Sequence, residues 1–363
     1  MRTFYPGITV FKFAGALLVL FAHAMYFSYM TETTPSQLMS FAALALRVVV
    51  PCFYVIAGFL AYKGWNRAER PVEYVRRYVV RIGLLYGIFC LLFTVQHIVP
   101  GLISGGLTVG NMILQAKIWL VAVFVSGPYV HLWFLPPLLS GMLAAYWLLR
   151  KGGTRLAIGL VLAGYSLCQF SSGSLRFMFS GAMDGFLGIR LEIWDFIDLT
   201  LTNHVGFGLT FVCAGALAAR LEERLMTMRA LRWIIPTFAL AAAEIVLLLS
   251  VSEWTTEYKL VFAILPLTLL LFRGVLHIRS EFATAHHRTL SLFSIVTYVS
   301  HILFMQANRH VFGWELTEMT MLEDALQFLL TLAQCTLLTY AILLLTRRRK
   351  GEAPRTPEFA QGA

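Results

Sequence analysis

The sequence predicts an all-α polytopic membrane protein, with about ten transmembrane helices, one further re-entrant or interfacial helix, and cytoplasmic N- and C-termini. Three observations carry this. Hydrophobic residues make up 58% of the 363 and charged residues only 13%, with a mean hydropathy of +0.73, a balance foreign to soluble domains of this size. Apolar runs of spanning length recur along the chain. The basic residues gather in the short stretches between those runs, as the positive-inside rule expects of cytoplasmic loops. The net charge of +10 is thereby explained by topology, and nucleic acid is not an expected partner.

Spans are expected near 8–30, 40–62, 77–99, 131–149, 155–171, 202–219, 232–251, 257–273, 288–309 and 326–346. The run 109–127 holds Asn111, Gln115 and Lys117. Counting it as a full span would move the loops around Arg150 and Arg220 outside, so it is read as re-entrant or interfacial. The membrane domain is expected over 1–350, with a polar cytoplasmic tail at 351–363. The first run is read as a retained anchor, since no small-residue cleavage site follows it. The five cysteines, Cys52, Cys90, Cys168, Cys213 and Cys335, all fall in apolar runs without metal-ligand spacing. Packing is their expected role, and no metal is expected.

Within the first span, Lys12 and His23 stand eleven residues apart, which is about three helical turns and roughly 16 Å along one face. Ionisable groups at such depth cost about 2.5–3.5 kcal/mol or more and mark functional positions. An imidazole titrates near neutrality and can take a proton from an attacking hydroxyl, or carry an acyl group itself. Lys12 either binds an anionic donor or snorkels to the interface.

The basic turn of Arg76, Arg77 and Arg81 with Tyr78 either meets a polyanionic ligand or merely satisfies topology. Arg47 in the second span offers a cation for an oxyanion or an acceptor, or for an ion pair with Glu244 in the membrane. His131 and Trp133 read as a sugar platform or as interfacial anchors. Tyr298 and His301 are further polar candidates, His301 more as a group that fixes its helix than as a catalyst.

Five motifs in order resemble the membrane acyltransferase 3 family. "ITVFKFAGALLVLFAH" at 8–23 is similar to that family's Arg-x10-His helix, with Lys12 in the arginine position and His23 in the histidine position. "RVVVPCFYVIAGFL" at 47–60 is similar to its second helix, with Ala57 where serine is usual. "YVRRYVVRIGLLYG" at 74–87, "HLWFLPPLL" at 131–139 and "SIVTYVSHILF" at 294–304 resemble three later segments. The compact, xanthan-acetyltransferase-like members are the nearest comparison.

The resemblance implies an integral-membrane O-acetyltransferase in a bacterial inner membrane. Acetyl-CoA would be the donor, and the acceptor a sugar hydroxyl of an exopolysaccharide or polyprenyl-linked glycan. His23 would be catalytic. Lys12, Arg76, Arg77, Arg81 and Tyr78 would bind the coenzyme, and Arg47, His131, Trp133, Tyr298 and His301 the acceptor. A secondary transporter or flippase of glycan precursors shares the spans and the intramembrane charges, although no inverted repeat is detectable.

Overall fold

Apolar sequence in a membrane has one economical backbone solution, since a helix satisfies its own N–H and C=O groups where no water can. The computed structural model describes residues 4–26, 47–180, 191–251, 258–316 and 318–349, and no strand occurs among them. The expected loops at 31–39 and 252–256, residues 181–190 of the loop at 172–201, and the tail at 351–363 lie outside the described residues.

The helices are α1 (Pro6–Phe21), α2 (Val49–Arg67), α3 (Pro71–Phe93), α4 (Val99–Ser104), α5 (Val109–Val121), α6 (Leu135–Trp147), α7 (Gly153–Ser171) and α8 (Arg176–Ser180). There follow α9 (Leu191–Thr200), α10 (Thr210–Arg220), α11 (Glu222–Thr227), α12 (Leu231–Val251), α13 (Ile264–His277), α14 (Glu281–Ala285), α15 (His287–Phe312) and α16 (Met321–Arg349). Wider π turns continue α1 over Ala22–Tyr26 and α3 over Thr94–Ile98, and one leads into α10 over Leu201–Leu209. The chain forms two compact units, one from the described parts of Met1–Ser36 and Ile278–Ala363, the other from those of Gln37–His277.

Eight described helical stretches are long and apolar enough to cross a membrane, against about ten expected. One of the eight, Val109–Ser126, is not among the ten, and three expected spans do not appear separately. The described helix of the second, Val49–Arg67, is not among the eight. Leu132–Ser171 is a single stretch of 40 residues by hydropathy, yet the helix breaks at Gly153, whose φ is 75°. The helix α13 has only 14 residues. The run at 109–127, expected as a re-entrant or interfacial helix, is helical over Val109–Ser126, 18 residues that are long and apolar enough to span. Its polar residues serve the turn before it: Asn111 Nδ2 donates to Gly101 O at 3.1 Å and to Gly106 O at 2.8 Å.

The larger unit turns part of its apolar side chains outward. On α3, Leu84, Ile88, Leu91 and Val95 form one stripe, each more than half exposed, a surface suited to lipid tails. Inside, α10 is buried at every position but its last, and α2 at ten of its nineteen. Between helices in lipid the hydrophobic effect gives no attraction, so close packing of small residues takes its place. A Cβ on Gly58 would strike the Val212 carbonyl, and one on Gly215 the Val55 carbonyl. The same reciprocity joins α6 to the π segment, where Gly141 faces Gly208 O and Gly208 faces Pro137 O. Four of the five cysteines, Cys52, Cys168, Cys213 and Cys335, are buried in this packing or in that of the smaller unit.

These contacts set opposite expectations for glycine substitutions. Gly58→Val should push α2 from α10 and lower the thermal unfolding midpoint in detergent steeply, with a cost of several kcal/mol from overpacking, on the order of 1–3 or more. Gly83→Ala, at a position with nothing within 4 Å of the new methyl group, should leave the midpoint unchanged or raise it by the equivalent of about 1 kcal/mol.

Candidate functional site

In the smaller unit, α1 buries Ala16, Leu20 and Ala24 at helical four-residue spacing. This stripe seats the helix against α15, where Leu20 and Ala24 pack with Ile302 and Met305. His23 falls next to the stripe, in the π turn of Ala22–Tyr26, and is half-buried. On α15 the inward face carries Phe293, Thr297, Ser300, His301, Met305 and Asn308. The two helices therefore bring the two histidines together.

His23 Nδ1 lies 3.2 Å from His301 Nε2, with the ring centroids 5.1 Å apart and the planes inclined by 42°. His23 Nδ1 is also 3.0 Å from Val19 O. His301 is fully buried, its Nδ1 being 2.8 Å from Thr297 O and 3.1 Å from Tyr298 O. Tyr298 thus reaches the pair through its carbonyl. Lys12 is half-buried on α1, eleven residues before His23, and makes no ion pair or hydrogen bond among the described residues.

Beyond the histidines, α15 and α16 share a second polar contact. Asn308 Nδ2 donates to Gln334 Oε1 at 3.1 Å and to Thr331 Oγ1 at 3.3 Å, while Gln334 Nε2 donates back to Asn308 Oδ1 at 2.7 Å. Sequence reasoning missed this pair. Its signal was present, because Gln327, Thr331 and Gln334 recur at helical spacing in an otherwise apolar span.

The remaining candidates lie in the larger unit. Arg77 is held by Glu73 at 2.8 Å, so it is not a free cation of the basic turn. Arg81 continues that i, i+4 face while Arg76 points about 100° away; both are exposed, and Tyr78 is half-buried. Arg47 is corrected from the second span to the turn before α2, where its guanidinium donates to Tyr258 O. The ion pair with Glu244 is absent. Glu244 instead accepts from Ser174 Oγ at 2.6 Å and from the backbone N–H groups of Phe262 at 2.8 Å and Ala263 at 2.7 Å, satisfying donors just before α13 begins.

His131 is buried at 3% exposure between Phe89 and Tyr129, whose ring centroids lie 6.3 and 6.2 Å away. A sugar has no access to a ring so enclosed, which corrects the platform reading for His131. Trp133 is half-buried and meets Phe207 edge-on at 5.0 Å. The turn that presents both depends on Gly127, with φ 77°, where a Cβ would collide with the backbone of Leu132 and Trp133.

A contact that sequence reasoning also missed joins Ser140 Oγ to His204 Nδ1 at 2.8 Å, with His204 Nε2 2.8 Å from Phe124 O. The carbonyl fixes the hydrogen on Nε2, so Ser140 donates to Nδ1. Here the histidine ties α6 to the π segment beside the Gly141 and Gly208 approach.

The sequence model of one family, described as an acyltransferase domain, matches residues 5–340. A protein of Enterococcus faecalis named amino-acid racemase is 24% identical over 291 residues. That alignment takes in 79% of this chain and 38% of the relative, so the chain spans less than half the length of that protein. No solved structure matches the chain.

Two structural assignments are open to measurement. Glu244→Gln should lower stability by about 2 kcal/mol, because an amide NH2 would face backbone donors, and its effect should add to that of Arg47→Gln in a double-mutant cycle. Asn308→Ala and Gln334→Ala should be coupled, by about 0.6–2 kcal/mol as found for intramembrane hydrogen bonds.

Proposed function

Because the chain belongs to the acyltransferase 3 family, whose domain covers residues 5–340, we propose that it is an integral-membrane O-acyltransferase that moves an acetyl group from acetyl-CoA to a sugar hydroxyl. The proposed acceptor is an exopolysaccharide or a polyprenyl-linked glycan, and the proposed setting a bacterial inner membrane. The observation that carries the reading is His23, an ionisable group half-buried within a span, with one nitrogen held by Val19 O and His301 and the other available for chemistry.

The atoms balance without a further reagent. The acceptor oxygen attacks the thioester carbonyl as His23 takes its proton, a C–O bond forms, the C–S bond breaks, and the imidazolium returns the proton to the departing thiolate. An acyl-histidine intermediate would divide the same transfer into two steps. Lys12, about 16 Å along α1 from His23, is the proposed partner of a donor phosphate. Binding energy from the large nucleotide would then orient the small acetyl group.

The glycan transporter or flippase remains the rival class, with the same spans and intramembrane polar groups. The Enterococcus faecalis relative is named for racemisation, which needs acid–base groups on opposite faces of one carbon. His23 and His301 touch each other at 3.2 Å and leave no carbon between them, so racemisation is not proposed here.

Isotope-labelled acetyl-CoA, supplied to membranes with a polysaccharide or lipid-linked glycan extract, tests the reading. Wild-type membranes should transfer label, and His23→Ala should lower the rate by at least about 100-fold while remaining inserted. Label transfer unaffected by His23→Ala would sink the role of His23, and glycan movement without transfer would favour the transporter. Lys12→Ala should raise the KM for acetyl-CoA about tenfold, as loss of a charged hydrogen bond does, whereas Lys12→Arg should preserve it.

A further inference from the structure

The hydrogen positions in the histidine pair follow from its surroundings. His301 Nδ1 faces the carbonyl oxygens of Thr297 at 2.8 Å and Tyr298 at 3.1 Å, and carbonyls only accept, so Nδ1 carries the hydrogen. In a neutral imidazole Nε2 is then an acceptor. That acceptor faces His23 Nδ1 at 3.2 Å, and Val19 O is the second acceptor there at 3.0 Å. The His23 hydrogen is therefore on Nδ1. Its lone pair is on Nε2, which has no hydrogen-bond partner among the described residues.

We propose that His301 is the positioning residue of the acyl-transfer site: its Nε2 accepts from His23 Nδ1–H, so that His23 Nε2 is the nitrogen presented to the acceptor hydroxyl. The proposal deepens the acyltransferase reading and rests on it. Val19 alone cannot do this work. Its carbonyl belongs to the same helix as His23 and is shared with the Ala22 backbone N–H, so it cannot fix the ring relative to α15.

His301 can, being fully buried and anchored by two carbonyls of its own helix. Once His23 has taken the acceptor's proton, both its nitrogens carry hydrogen, and the bond to His301 becomes charge-assisted.

The test measures the apparent kcat and the KM for acetyl-CoA of purified full-length protein in nanodiscs, with a fixed amount of membrane glycan extract as acceptor. His301→Leu should lower kcat about 10- to 100-fold and change KM by less than about threefold. His301→Gln, whose Oε1 accepts at a reach close to that of Nε2, should restore at least about a third of the wild-type kcat, a rescue that a purely packing role would not give. If His301→Leu keeps the wild-type kcat while His23→Ala is inactive, the positioning role is overturned and the function stands. If His23→Ala is as active as wild type, the function itself falls, and the positioning role with it.

A second measurement does not depend on the variants being active. Nitrogen-15 spectra of histidine-labelled wild type, with His23 assigned by the signals lost in His23→Gln, should show a protonated Nδ1 and a bare Nε2. A hydrogen on His23 Nε2 would overturn the assignment.

Discussion

A polar side chain surrounded by hydrocarbon has to find its partner inside the protein, because neither lipid nor water will supply one. The described spans meet this constraint at several positions. His23 meets His301, which rests on Thr297 O and Tyr298 O. Asn308 and Gln334 exchange hydrogen bonds in both directions. The Glu244 carboxylate is shared among one hydroxyl and two backbone N–H groups. Such bonds demand close helices, and glycine supplies the proximity wherever backbone meets backbone, as at Gly58, Gly215, Gly141 and Gly208.

Much of this was legible in the sequence. Apolar runs marked every long helix, because hydropathy and helical periodicity are local properties. Lys12 and His23 stood out in the sequence for the same reason, as ionisable groups within an apolar run. The fate of His301 was half legible: a role in fixing its helix was expected, but not that its Nε2 would meet His23, 278 positions away. That depends on how α1 packs on α15, and helix rotation is a tertiary property.

The misreadings have the same origin. The basic turn at 76–81 looked like one patch, yet Glu73 sits one turn before Arg77 and takes it. Arg47 and Glu244 looked like a charge pair, but each is closer to backbone that needs it. In each instance the composition was read correctly and the partner was not, since a side chain chooses among neighbours that only the fold assembles.

The doubled amide contact between Asn308 and Gln334 has a consequence for inheritance. A change at either position strands a donor and an acceptor on the other helix, so the two codons are bound to drift together or not at all. The contact also works as a key in a slot: α15 cannot turn about its axis without shearing it, and His301, two turns along that helix, keeps its bearing as a result. A pair of residues that touches no substrate would thus leave its mark on the ancestry of the site, as a correlated exchange in a part of the sequence with no chemistry of its own.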